Sequence, residues 1–420
     1  MNRVERWVHG WVEDRPALRS AIVRAYQALL SPVPAADSLP DGIVVHPGVF
    51  FGFHDKTPWS PDGTRVLAHA VPDRDTGPCE GPLEVGILDP WRPGTFRTVA
   101  STHAWNWQQG AELQWRGSTG EILFNEAGGP SGARAAIVDA EGTVLATLPH
   151  AASAVSRDGR LAASIDFGRL SVGMPGYGYA SARDAAASLC ELRVMDLVRA
   201  ETRVVFSDSA NAGGGYRFTS HTAFSPDDRW IAFYVRTRMP RGRLKTELWL
   251  ADPDGAERRR IEVADCSHYA WCDGERLLAY CRPEPGSRWG YCLVDVESGS
   301  VTRLSWLKDL PDGHPGSCAV HGLVVSDTYP DRRRLQRLLL LDLTRRTTAE
   351  LARVRIPMRF RGEDRCDFHP RWSRDGGAIC FDSAHTGRRS LCVLAVPGAQ
   401  PTPASSPHAR AEPGADPVAR

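Results

Sequence analysis

The sequence predicts an all-β chain, a seven-bladed β-propeller with a short N-terminal helical extension. Three observations predict it. A turn of the aromatic-Ser-Pro-Asp-Gly kind recurs at wide intervals, as "WSPDG" (Trp59 to Gly63), "VSRDG" (Val155 to Gly159), "FSPDD" (Phe224 to Asp228) and "WSRDG" (Trp372 to Gly376). Such a turn is followed by a short β-branched or apolar run, a loop, and a second run that often ends in Asp, as in "DRWIAFYV" and "TELWLADPDG". No long helical pattern interrupts the series, and a self-similar unit of ~40–50 residues with three or four short strands is the mark of a propeller blade.

The first 40 residues stand apart. Val4, Trp7, Val8 and Trp11, then Leu18, Ile22, Ala25 and Leu29, recur at helical spacing, broken near Pro16. This predicts two short amphipathic helices over residues 1–40, with residues 1–30 offering a contact to a protein or a membrane surface. The stretch lacks the apolar core and cleavage site of a signal peptide, and no apolar run of about 18 residues follows, so a cytoplasmic location is expected. Seven units then begin near His54, His103, Ala151, Phe218, Cys266, Gly313 and Asp367. Asp-Gly supplies the turn position that tolerates positive φ, and Pro presets the φ before it. The last unit is short, and Gly42–Gly52 is expected to lend it a strand and close the ring, which removes sheet edges. The propeller is thus placed over residues 41–398. The Pro/Ala-rich tail, 399–420, reads as disordered.

Composition narrows the function. The formal net charge is +1, so the total carries no electrostatic footprint for nucleic acid. Ten cysteines without a CxxC pair read as buried reduced thiols rather than a disulfide framework. GxSxG, the P-loop, a GxGxxG after a strand and HExxH are all absent, which removes the commonest hydrolase, nucleotide and zinc-protease signatures.

The innermost strand of each blade runs beside the channel, and the residue four places before the turn position sits on it. In blades four to seven that residue is His221, His268, His314 and His369. Four imidazoles converging on one channel end suit a divalent metal such as Mn or Zn, with Asp367 or Asp312 able to complete the site. The alternative is that each histidine makes a structural hydrogen bond in its own blade. Blade one places Lys56 there, with His54 two residues earlier on the same face; blade three places Ala152. Blade two carries instead "HAWNWQQGAELQW", whose Trp105, Trp107, Gln108 and Gln109 read as a carbohydrate platform or as inter-blade filler. Tyr216 and Arg217 precede His221, and Arg217 is suited to a bidentate carboxylate clamp. Tyr177 and Tyr179 in "MPGYGY" are exposed phenols or loop packing. Arg365 and Arg371 flank His369.

The motifs "FFGFHDKTPWSPDG", "AWNWQQGAELQW", "PGYGYA", "SHYAW", "SDTYPD" and "RCDFHPRWSRDGGAICFDSAHTGRRSL" resemble a group of seven-bladed propellers with TolB-like repeats. The group is similar to oligogalacturonate lyase and the propeller-type ulvan lyases, over about residues 43–398. The resemblance implies β-elimination on uronate-containing glycan: an arginine or metal neutralises the carboxylate, and a histidine or tyrosine takes the C5 proton. It implies Arg217 and His221 as the arginine–histidine pair, His268, His314 and His369 as metal ligands with Gln109 beside them, and Tyr177 or Tyr179 as the tyrosine. The family's first motif carries Tyr where this chain has His54, which leaves His54 as a possible base. The competing expectation is a non-catalytic scaffold or glycan-binding propeller in surface-polysaccharide assembly.

Overall fold

The computed structural model describes residues 16–30, 37–130, 132–179, 189–211, 214–318 and 320–396. Over these residues the chain is a seven-bladed β-propeller of seven four-stranded antiparallel sheets. Blade I holds β2 (Val49–Phe50), β3 (Val66–Ala70), β4 (Leu83–Leu88) and β5 (Arg97–Thr102). Blade II holds β6 (Gln114–Trp115), β7 (Ile122–Ala127), β8 (Ala133–Val138) and β9 (Val144–Thr147). Blade III holds β10 (Ala154–Val155), β11 (Leu161–Ile165), β12 (Leu189–Asp196) and β13 (Glu201–Ser209). Blade IV holds β14 (Tyr216–Phe224), β15 (Ile231–Arg238), β16 (Leu244–Ala251) and β17 (Arg258–Ile261). Blade V holds β18 (Asp265–Trp271), β19 (Arg276–Arg282), β20 (Gly290–Asp295) and β21 (Val301–Arg303). Blade VI holds β22 (Gly316–Ser317), β23 (Leu323–Asp327), β24 (Leu335–Asp342) and β25 (Thr347–Arg355).

Blade VII is made from both ends of the propeller. Its inner strands are β26 (Arg371–Trp372), β27 (Ala378–Ser383) and β28 (Ser390–Ala395), and its outermost strand is β1 (Val44–Pro47). Val44 lies opposite Val393 and Pro47 opposite Ser390. This is the closure expected of Gly42–Gly52. An N-terminal helix, α1 (Pro16–Leu30), precedes it. The other expected helix, before Pro16, and the 399–420 tail lie outside the described residues.

The repeated turn is a structural lock. Each turn serine donates its hydroxyl to the aspartate two residues on: Ser60 to Asp62 (2.5 Å), Ser156 to Asp158 (2.7 Å), Ser225 to Asp227 (2.5 Å) and Ser373 to Asp375 (2.5 Å). The same oxygen accepts the N–H that opens the next strand, at Arg65, Leu161, Trp230 and Ala378. Gly63, Gly159 and Gly376 then turn the chain at φ near +72° to +73°, which glycine adopts without a Cβ penalty. Blade IV has Asp228 at φ +59° instead. Its carboxylate accepts the N–H groups of Arg157 (2.7 Å) and Asp158 (3.0 Å) in blade III, so the strain is offset by a bond between blades.

The aromatic residue before the turn is a second fastener. The indoles of Trp115, Trp271 and Trp372 donate to backbone carbonyls of Pro58, Ala223 and Gly316, each on an inner segment of another blade. The apolar core lies between sheets. Between blades IV and V, for instance, Trp230, Tyr234 and Leu248 pack with Trp271, Leu277 and Cys281. The ten cysteines are free and eight are buried, so the ring is held by packing and hydrogen bonds rather than by cross-links. One helix interrupts a blade: α2 (Phe167–Gly173) follows β11, with Asp166 capping the N–H of Arg169 (2.8 Å). It leads into the loop that carries Tyr177 and Tyr179.

Candidate functional site

The positions four residues before each turn form a ring: Lys56, Glu112, Ala152, His221, His268, His314 and His369. Three of them, Glu112 (φ +54°), His221 (+52°) and His369 (+44°), hold a left-handed backbone that non-glycine residues rarely adopt. Such strain persists where surrounding structure fixes it and clusters at functional sites. At His221 the cause is visible. The β14–β15 register shifts between Ser220 and Ala223, the mark of a β-bulge that re-aims a side chain.

Side chains from different blades meet inside this ring. Ring centroids lie 4.4 Å apart for His268 and His314, 4.3 Å for His314 and His369, and 6.4 Å for His221 and His268. His54 stands among them, 5.3 Å from His314, 5.9 Å from His268 and 6.0 Å from His369. Phe53 packs edge-on against His221 at 4.8 Å, and Tyr177 lies 5.8 Å from His221. All five imidazoles are buried. Across the ring, Lys56 binds Glu112 and Asp55, each at 2.6 Å.

The hydrogen bonds fix which imidazole nitrogen is free. His369 Nδ1 lies 2.9 Å from the Gly52 carbonyl and His54 Nδ1 2.8 Å from that of Pro315. A carbonyl oxygen only accepts, so Nδ1 carries the hydrogen and Nε2 keeps its lone pair. His314 Nδ1 sits against both oxygens of Asp327 (2.9 and 3.0 Å) while its Nε2 lies 3.3 Å from the Tyr329 hydroxyl, and His268 Nδ1 sits against Asp312 (3.0 Å). An imidazole steadied at Nδ1 by a carboxylate or carbonyl is the usual support of a metal-ligating histidine. His369 Nε2 and Asp367 Oδ1 are buried with no hydrogen-bond partner, as are both nitrogens of His221. The ligand atoms of His314, Asp367 and His369 lie within 4.8 Å of one another. Two imidazoles and a carboxylate are a donor set that suits a divalent transition metal, so the residues present fit such an ion. His221 and His268, offered as ligands from the sequence, fall outside this group of three, and Asp367 joins it.

The protonation states follow from burial and charge. Burial holds His54, His221 and His369 well below the usual imidazole range, with neighbouring histidines and, for His221, Arg236 pushing the same way. Burial also lowers His268, against the opposing pull of Asp312. His314 alone is raised: burial opposes its charge, and Asp327, Asp367 and Asp312 together outweigh it. Burial pushes the Glu112 carboxyl up from 4.5 to about 7, against the pull of Lys56. A folded pKa above the unfolded one means that the protonated form stabilises the fold. That contribution is complete below pH 4.5 and is lost as the pH rises through 7. Unfolding free energies of the wild type and Glu112→Gln, measured by urea titration across that window, should therefore diverge with pH by at most about 1.4 kcal/mol per unit. Parallel curves would overturn the assignment.

The structure places the other candidates as follows. Arg365 donates to Asp367 (2.6 Å) and to the hydroxyl of Tyr177 (2.6 Å), so these three join the histidines. Arg371 is buried in blade VII against Asp382 (2.9 Å). Arg217 is not brought to the ring; its guanidinium pairs with Asp208 (3.1 Å) and Glu247 (3.2 Å). Tyr216 lies under Arg169, 4.3 Å from its ring centre. Tyr179 stacks on Phe167 at 4.6 Å and accepts from Asn125 (3.0 Å). The indoles of Trp105 and Trp107 are buried and donate to the carbonyls of Gly81 and Gly77, which favours filler over platform. Gln108 donates to the carbonyls of Glu363 and Arg365, and Gln109 to Glu112 (2.6 Å).

Three residues of the centre were missed. Glu112 holds the ring position of blade II, hidden because its turn, Arg116 to Gly120, lacks the Ser-x-Asp-Gly signature. Asp327 ends β23 and also accepts the N–H of His369 (3.1 Å). Arg236, on β15, is buried beside His221 with no carboxylate partner among the described residues; it donates to Met174 Sδ and the Ser267 carbonyl.

No family model matches the chain, and no curated protein matches it in sequence. Solved structures do match. An oligogalacturonate lyase in complex with manganese superimposes with a TM-score of 0.60 at 17% identity, over 86% of this chain and 92% of its own. The oligogalacturonate lyase of Vibrio parahaemolyticus gives 0.59 at 15% identity, over 86% and 93%. TolB from Acinetobacter baumannii gives 0.39 at 13% identity, over 79% and 81%. The two lyase likenesses establish a shared propeller fold.

Proposed function

We propose that this chain is a lyase-like propeller that cleaves uronate-containing oligosaccharide by β-elimination, at a centre formed by His314, Asp367, His369, His221, Arg236 and Tyr177. One observation supports the reading most: His221, with both nitrogens unpartnered, stands beside a buried guanidinium that has no carboxylate partner among the described residues. A cation without a counter-ion next to a neutral base is an arrangement completed by a carboxylate substrate.

His314, Asp367 and His369 would hold a divalent ion, and manganese or zinc suits the set. The chemistry such an ion supplies is further neutralisation of the uronate carboxylate, which acidifies the adjacent C–H. Arg236 contributes charge to the same carboxylate, in place of Arg217. His221 is neutral, held so by burial and by Arg236, and takes the C5 proton. The electron pair of that C–H bond becomes the C4=C5 bond as the C4–O4 bond breaks. Tyr177, whose oxygen accepts from Arg365, keeps its own hydrogen for O4. Solvent then returns a proton to Tyr177 and removes one from His221. In this reading His54 packs the ring, and Lys56 and Gln109 brace Glu112.

A binding-only propeller is the second reading, favoured by the near-complete burial of the imidazoles. The test is incubation of the purified chain with oligogalacturonate and Mn²⁺, followed by ultraviolet absorbance of the unsaturated product. Product formation that is lost in His221→Gln is expected. Saturable binding without product, across uronate oligomers and with or without divalent ions, would overturn the elimination.

A further inference from the structure

Over its described side chains, residues 21–29, the helix α1 does not dock by an apolar stripe. Ile22, Val23, Tyr26 and Leu29 are exposed, while Gln27 is buried. Gln27 donates to the carbonyls of Asp331 (3.0 Å) and Pro330 (3.3 Å) and accepts from Arg334 (3.4 Å). Over residues 21–29, hydrophobic burial is therefore not what holds the helix. What it does is wall a cavity of about 550 Å³, together with Tyr329, Arg334, Arg361, Arg365 and Asp367. That volume is in the range of small-molecule sites, ~300–1,000 Å³. The cavity meets the centre at Asp367, and Tyr329 on its wall lies 5.2 Å from His314 between ring centroids.

The charge of the cavity is one-sided. Arg24, Arg334, Arg361 and Arg365 line it, against Asp367 as its one carboxylate. Arg365 is committed to Asp367 and Tyr177, and Arg334 to the carbonyls of Ile356, Pro357 and Phe360. Arg24 and Arg361 form no ion pair among the described residues. Two free guanidinium groups over a cavity select an anion, and a planar fork suits a carboxylate.

We infer that Arg24 and Arg361 form a second carboxylate subsite, walled by α1, that takes the uronate next to the one being cleaved. The chain then selects acidic oligosaccharide over the monosaccharide, and its N-terminal helix is a specificity element. This rests on the elimination proposed above for the substrate's chemical class.

The test is calorimetric binding of galacturonate and trigalacturonate to the full chain with Mn²⁺, beside the product assay. Arg24→Gln and Arg361→Gln should each weaken trigalacturonate about tenfold, the scale of a lost charge-assisted contact. Galacturonate binding should not change, and Arg24→Lys should recover part of the loss. Both glutamine variants binding trigalacturonate like wild type would overturn the subsite, as would wild type that binds no trigalacturonate. Wild type that binds with the expected charge dependence but makes no unsaturated product sinks the elimination and leaves the subsite standing.

Discussion

Asp367→Ala is expected to lose divalent-cation binding and product formation together. Asp367 Oδ1 is buried without a partner, and its other oxygen holds Arg365. The substitution removes one of three donors and frees the half-buried guanidinium of Arg365 beside the remaining two. Loss of a supporting partner alone costs ~10–100-fold in metal affinity, so loss of the donor should cost at least about 100-fold. Asp327→Asn, which weakens the carboxylate behind His314, should fall in that ~10–100-fold range. His268→Ala is the contrast, because His268 stands outside the group of three. Elemental analysis of the purified proteins decides it. Stoichiometric metal retained by Asp367→Ala, or lost only from His268→Ala, would place the ion elsewhere.

Asp382→Ala should be the most destabilising single change, at about 3–5 kcal/mol, the scale of a broken buried ion pair. Asp382 accepts from Phe51 N–H (2.9 Å), Gly52 N–H (2.8 Å) and Arg371 (2.9 Å). Alanine leaves two buried amides without an acceptor, and one buried cation without its counter-ion, held by the carbonyls of Phe53 and Gly52. The amides belong to the segment that runs from β2 to Phe53 and His54, so the joint between blades VII and I loosens as well. Gly52 cannot be rebuilt to compensate: it sits at φ +115°, and a Cβ there would lie 2.8 Å from the backbone of Gln109. Guanidinium chloride unfolding measures the loss. Replacing both partners, Arg371→Met with Asp382→Leu, should cost much less than Asp382→Ala, because no charge is left unpaired. Equal losses would show that packing, rather than the ion pair, holds this joint.

Much of this was legible in the chain because a propeller repeats. The turn residues set the period, and the period put His221, His268, His314 and His369 on equivalent rungs before any contact was known. The closing strand was legible because the last unit was one strand short. Arg217 stands away from the ring for a physical reason. In an ideal strand a residue four before His221 shares its face, but the bulge at Ser220 to Ala223 breaks that parity and leaves Arg217 with Asp208 and Glu247. Asp327 was hidden because it bonds into the neighbouring blade, and Arg236 because it meets His221 from the adjacent strand of the same blade; local pattern reports neither contact. Asn125, Asp327 and Asp382 share this habit: each ends or nears the end of a second strand and bonds the inner segment of another blade, at Ala152, His369 and Gly52.

The strand borrowed by blade VII sets an order of maturation. Residues 44–47 wait, unpaired, until the ribosome has delivered 390–393, almost the whole propeller later. The Gly52 carbonyl that orients His369 is presented just after that borrowed strand. A nascent chain, or a fragment truncated before its final hairpin, therefore has the histidines but not the whole scaffold that aims them, and the orientation of His369 is completed only with the last stretch of synthesis.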